Sequence, residues 1–184
     1  MMIQIGHRES HDIDIFLDDA QLLGFLDPSK SLVVPSNLAE YGGDGARFQK
    51  FAFDELGEID FILANTLSDE PFLVRGIENR PVRLETIPEI IAQKIYHRGN
   101  QAQARDIFDI AAATRTHRTE VLQALRKYPD RVAATRARLR QLNPDFLAST
   151  IGQLMIMPEY AEMAPNSLEI ADALLSEAVS AGKV

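Results

Sequence analysis

The stretch HRESHDIDIFLDD, residues 7–19, decides how the first half of this chain reads. Two aspartates, Asp12 and Asp14, flank Ile13 and run into IDIFL, a β-branched segment that predicts a strand over 13–17. Alternate side chains of a strand share a face. Asp12, Asp14 and Phe16 are therefore expected on one side, and Ile13, Ile15 and Leu17 on the other, turned into a core. Carboxylates two residues apart lie about 6.5 Å apart at Cα, a span that a hard divalent cation can bridge. A bare Asp-x-Asp is common by chance. An exposed edge strand guarded by carboxylates would look the same.

The rest of the sequence sets the frame for this strand. The chain has 184 residues, enough to bury a core in one medium domain or two small ones. It contains no cysteine, which excludes disulfides and thiolate metal sites and fits a cytoplasmic location. MMIQIGHRES has neither the basic start nor the apolar run of a signal peptide, and no stretch is apolar enough to predict a membrane span. The net charge of −8 argues against whole-surface attraction to nucleic acid. Residues 115–140 run against that trend, with Arg115, Arg118, Arg126, Lys127, Arg131, Arg136, Arg138 and Arg140 against only Glu120 and Asp130. Such a tract suits RNA contact, and equally a solvated helical face.

Residues 1–85 read as mixed strand and helix, and 86–184 as helix, so the predicted class is α+β. A short helix is expected over 18–26, and strands in SLVVP (31–35), ARFQKFAF (46–53), EIDFILA (58–64) and RPVRLE (80–85). DELG joins the second and third of these strands as a hairpin, and YGGDG (41–45) reads as loop. Helices are predicted at 86–98, 102–115, 118–127, 129–142, 144–156 and 167–180, punctuated by Pro129, Pro144, Pro158 and Pro165. The domain boundary is expected near residue 85, or near 116 if the first helices pack on the sheet.

In GEIDFIL, Glu58 and Asp60 share a strand face, and Asp60 is flanked by Ile59 and Phe61. An aspartate there is costly to bury without a partner or a metal. Beside Asp12 and Asp14 it would complete a three-carboxylate cluster, placed to take the proton of an attacking hydroxyl. Further on, ETIPEIIAQKIYHRG carries a capping box, with Thr86 as N-cap and Glu89 three residues later. At 100° per residue, Lys94 and Arg98 fall inside the stripe of Ile90, Ile91 and Ile95. Soluble helices usually place cations opposite that stripe. These two are expected to face anions across a cleft, rather than to snorkel. In ARDIFDIAAA, Arg105 and Asp109 are four apart, either as an exposed helix pair or with Asp109 orienting Arg105 or a nearby lysine towards substrate. Asp106 lies off that face and is expected to join the next helix.

Taken together, HRESHDIDIF, EIDFI, ETIPEIIAQKIYHRG and ARDIFDI resemble the nucleotidyltransferase AbiEii toxin family, a minimal kind within the polymerase-β-like superfamily. The resemblance runs from residue 6 to about 112. Asp12 and Asp14 match its Asp-x-Asp, Asp60 its third acid, Thr86 and Lys94 its threonine–lysine spacing, and Arg105, Asp106 and Asp109 its Arg-Asp-x-x-Asp. The resemblance implies a mixed nucleotidyltransferase sheet with flanking helices in 1–85, then a helical domain in 86–184 whose first helices complete the active-site cleft. It implies Mg²⁺ held by Asp12, Asp14 and Asp60. Thr86, Lys94, Arg98, Arg105, Asp106 and Asp109 then form a nucleotide- and phosphate-binding set. The implied reaction moves a nucleotide from an NTP to an acceptor, a tRNA end in relatives, in a toxin–antitoxin or abortive-infection setting with a cognate antitoxin protein. The family's opening Gly-Ser or Gly-Gly, whose backbone would cradle phosphates, is expected upstream of Met1, the core being N-terminally truncated relative to the family. A catalytically incomplete module that binds protein or RNA is the alternative, and a metal-dependent phosphodiesterase a third.

Overall fold

The computed structural model describes residues 1–30, 37–44, 46–54 and 57–180. In chain order its elements are α1 (Met2–Ile5), β1 (Ile13–Leu17), α2 (Gln21–Leu26), β2 (Leu38–Gly43), β3 (Phe48–Phe53), β4 (Gly57–Leu63), β5 (Phe72–Ile77), β6 (Arg80–Glu85), α3 (Ile87–Arg98), α4 (Ala104–Leu125), α5 (Pro129–Leu139), α6 (Pro144–Ile151) and α7 (Ser167–Ser180). This is an α+β chain with a mixed sheet, flanking helices and a C-terminal helical part. The expected strand at 31–35 lies outside the described residues. The division does not fall at residue 85. One compact unit is Ser10–Asn65, and the other joins Met1–Glu9 to the chain from Thr66 onward.

The 10–65 unit is a four-stranded sheet of order β1-β4-β3-β2, with β1 parallel to β4 and the other pairs antiparallel. Its register puts Ile13, Ile15 and Leu17 opposite Ile59, Phe61 and Leu63. These three were expected in a core, but Ile13 is 55% exposed, Ile15 37%, and Leu17 only half-buried. The reason is position. β1 is an edge strand of this sheet, whereas α2 packs on β3, and among the described residues of the unit Leu23, Pro28 and Phe51 are the buried apolar ones.

Two glycines matter here. Gly57 has φ +107°, and a Cβ on it would run into the His11 carbonyl, so only glycine lets the chain entering β1 lie this close to β4. Tyr41, Gly42 and Gly43, read from sequence as loop, instead form the end of β2. A Cβ on Gly43 would meet the Phe48 carbonyl, so glycine here serves close strand pairing rather than a turn.

The other unit holds the main core, formed around α3, α4, α5, α6 and α7 by residues such as Ile91, Phe108, Val121, Leu139 and Leu174. A second sheet, β5–β6, closes through Glu78 (φ 46°) and Asn79 (φ 64°), the two left-handed central residues of a type I′ turn. The helices expected at 102–115 and 118–127 are one helix, α4, kinked at His117 (φ −133°, ψ 29°). No proline or glycine stands there to end it. The helix expected to reach residue 156 stops at Ile151, because the following backbone pairs with the N-terminal segment. Glu9 N–H donates to the Met155 carbonyl at 2.9 Å, and Met157 N–H to the His7 carbonyl at 3.1 Å.

Glu89 does more than the capping box predicts. Thr86 Oγ1 accepts from Glu89 N–H at 3.4 Å, but the Glu89 carboxylate does not turn back to Thr86. It is fully buried and accepts from the Leu67 and Ser68 backbone N–H groups, the Ser68 hydroxyl and Gln93. It thereby fixes the segment ahead of β5 to α3. No described helix is long and apolar enough to cross a membrane.

Candidate functional site

In the 10–65 unit the strand register decides which side chains meet. Asp14 on β1 pairs with Asp60 on β4, Asp60 pairs with Lys50 on β3, and Lys50 pairs with Gly42 on β2. A single row across the sheet therefore reads Asp14, Asp60, Lys50. Glu58 shares this face two residues before Asp60, and Asp12 sits just ahead of β1. Parallel neighbours stand about 4.8 Å apart, so the Asp14 and Asp60 carboxylates lie side by side.

Lys50 Nζ donates to Glu58 Oε2 at 2.6 Å and lies 3.8 Å from Asp60 Oδ1. That Asp60 oxygen is buried and has no hydrogen-bond partner. Burial pushes the Asp60 carboxyl above the usual carboxylate range; Asp14, Glu58 and Asp12 add to this, and Lys50 opposes it. An aspartate in this state is held ionised at a cost to the fold. A raised folded pKa favours the folded state below the unfolded pKa, and that advantage disappears as pH rises through the folded pKa. At neutral pH, Asp60→Asn should consequently raise the melting temperature by about 1–3 °C. Scanning calorimetry at pH 7 checks this. A drop would mean that the Asp60 charge supports the sheet rather than burdening it.

The donor set suits a hard cation. All candidate ligands are carboxylate oxygens, and Asp60 Oδ1 is buried without a hydrogen bond beside Asp14. Among the described residues, no three His, Asp or Glu side chains are gathered closely enough to hold an ion unaided. The two-carboxylate pair nevertheless meets what Mg²⁺ commonly asks of a protein when substrate phosphates supply the rest.

The predicted residues of the helical unit form a different cluster. Asp109 is buried on α4 and accepts from His7 Nε2 at 2.8 Å and from Arg8 Nε and Nη2 at 2.8 and 3.1 Å, with Lys94 Nζ at 3.0 Å. Burial alone would raise its pKa. The His7 hydrogen bond, Lys94 and Arg8 outweigh burial and hold it well below the usual range. Lys94 also reaches Asp106 Oδ1 at 3.1 Å, and Arg98 Nη2 donates to the same oxygen. Lys94 and Arg98 thus meet anions, and those anions are the chain's own.

Asp106 joins α3, the preceding helix, rather than the next one. Its Oδ2 also accepts from Gln103 N–H at 3.2 Å at the start of α4. The exposed Arg105–Asp109 pair does not form. Arg105 is exposed, whereas Asp109 is buried with His7, Arg8 and Lys94. Thr86 is the N-cap of α3, and its hydroxyl donates to the Glu70 carbonyl at 2.7 Å.

Sequence reasoning missed His7 and Arg8. His7 is buried, stacked on Phe108 at 5.9 Å and set edge-on to Tyr160 at 6.3 Å. The available signal was a histidine–arginine pair immediately ahead of the Asp-x-Asp strand. The basic tract at 115–140 is largely engaged within the protein. Arg118 and Arg126 meet Glu177, Lys127 meets Asp69, Arg136 meets Asp172, and Arg131 lies over the Tyr96 ring. This favours the solvated helical face over an RNA-binding tract.

No protein-family model matches the chain, and no curated protein matches it. Among solved structures, a proposed nucleotidyltransferase from H. pylori is similar, with a TM-score of 0.49 and 16% identity over 96% of this chain and 80% of that one.

Proposed function

We propose that this chain is a Mg²⁺-dependent nucleotidyltransferase that moves a nucleotide from an NTP to an acceptor of the tRNA class, as the toxin of a toxin–antitoxin or abortive-infection system. The observation that carries the reading is the in-register pair of Asp14 and Asp60 on adjacent parallel strands, with a buried Asp60 oxygen that has no hydrogen bond. The order of the four sequence motifs supports the same reading. Asp12, Asp14 and Asp60 would hold the ion, which when bound neutralises phosphate charge and aligns the attacking oxygen. Where Asp60 serves as the base instead of as a third ligand, it would take the proton of an acceptor hydroxyl as that oxygen attacks the α-phosphate and pyrophosphate leaves. The resemblance assigns phosphate contacts to Lys94, Arg98 and Arg105. Asp106 and Asp109 hold Lys94 in one position, which lowers the entropy cost of its use.

A second reading has its own support. Lys94 and Arg98 are already matched by carboxylates, and no three-ligand group stands assembled among the described residues. These features favour a module that keeps the fold and binds protein or RNA without catalysis. Incubation of the full chain with each labelled NTP and total RNA separates the two. Label should pass to RNA with Mg²⁺ and fail to do so with chelator. No transfer, together with no NTP binding by calorimetry, would leave the binding module.

A further inference from the structure

The Lys50 ammonium has no role in the reading above, yet it stands on the carboxylate row. Lys50 is directly opposite Asp60 in the β3–β4 register, and its Nζ is 3.8 Å from Asp60 Oδ1, a buried oxygen that makes no hydrogen bond. Its strong contact goes elsewhere, to Glu58 Oε2 at 2.6 Å. The side chain is 41% exposed, so it is not locked by packing. We propose that Lys50 is an internal counter-cation that competes with the divalent ion for Asp60, with Glu58 as the carboxylate to which it withdraws when the ion binds.

This rests on the metal-binding reading of Asp14 and Asp60 and adds a control on its occupancy. The physical argument is one of charge and reach. A cation seated on Asp60 Oδ1 would lie within a few ångströms of the ammonium, and like charges at that range repel strongly unless one moves. Lysine is a flexible point charge on a four-carbon stem and is already bonded to Glu58, so a small rotation carries it away from Asp60 without loss of that contact. Glu58 stands two residues from Asp60 on the same face, which makes that movement short. The ammonium also lessens the mutual repulsion of Asp12, Asp14, Glu58 and Asp60 while no ion is bound. The sheet thereby tolerates its acidic row in both states. Lys50 is accordingly expected to set how much divalent ion the site requires, rather than to take part in the transfer.

The test is Mn²⁺ binding to the full-length protein without nucleotide, followed by the loss of free-ion EPR signal. Lys50→Gln should tighten Mn²⁺ binding about five- to tenfold at low salt, and Lys50→Arg should stay within about twofold of wild type. Glu58→Gln, which removes the withdrawal partner, should weaken binding. Equal affinities of wild type and Lys50→Gln, with both folded by circular dichroism, would overturn the role of Lys50 and leave the metal reading intact. No Mn²⁺ binding by either protein would overturn the role of Lys50, because no ion would then compete for Asp60 before nucleotide arrives. Binding by Lys50→Gln alone would show the competition at its strongest.

Discussion

Asp109→Asn should cost about 3–5 kcal/mol of stability, a fall in melting temperature of about 10 °C. The substitution changes almost no volume. It removes the buried anion that meets His7, Arg8 and Lys94, of which Lys94 keeps Asp106. Breaking one side of a buried pair leaves the other charges uncompensated, and that penalty exceeds the value of the pair itself. The pH dependence supplies a second readout. The depressed carboxyl of Asp109 contributes stability above the ordinary value of 3.8, and that contribution is lost as pH falls from there towards its folded pKa. The wild type should therefore lose more stability than the variant between about pH 5 and pH 2. Arg105→Ala, four residues away and exposed, should stay within about 0.5 kcal/mol of wild type. Urea titrations of the three proteins decide the matter. Equal midpoints for Asp109→Asn and wild type would mean that the cluster is not structural.

Asp14→Asn should abolish Mg²⁺-dependent NTP binding and lower any transfer activity by about 10²–10⁴-fold. Asparagine keeps the shape and the strand but removes the charge next to Asp60 in the register. A hard cation then has one carboxylate of the side-by-side pair instead of two, too little for an ion that dehydrates reluctantly. Asp14 is exposed and makes no contribution to a core, so the variant should fold and melt like the wild type. The expected pattern is a lost function with an unchanged melting curve. Calorimetry with NTP, in the presence and absence of Mg²⁺, reads the first part. Unchanged affinity in the variant would remove Asp14 from the site.

The two aspartate strands could be read from sequence because each alternates cleanly, so the face shared by Glu58 and Asp60 follows from the period alone. What sequence could not supply was register. Only the parallel pairing of β1 with β4 puts Asp14 beside Asp60, and only the β3 register adds Lys50 to the row. β5 escaped notice because its turn is Glu78-Asn79 rather than the usual Asn-Gly or Asp-Gly, and because its partner strand looked sufficient by itself. Lys94 and Arg98, on the apolar stripe of α3, meet Asp106 and Asp109 of α4. Which anions they would meet depended on how α3 meets α4, and local spacing does not encode that. His7 gave no periodic signal at all, since its burial is owed to Asp109, Phe108 and Tyr160, all far along the chain.

That distance bears on how the protein is made. His7 and Asp109 are separated by 102 positions, and Arg8 and Asp109 by 101. At about 5–20 residues per second, the ribosome delivers the first nine residues roughly 5–20 s before α4 exists to receive them. The sheet of residues 10–65 is complete in sequence well before that moment. The opening segment must therefore wait, tethered to a finished neighbour, for a helix not yet synthesised. Its docking cannot precede the synthesis of α4, so these contacts of residues 7 and 8 close only after the sheet of residues 10–65 has been made.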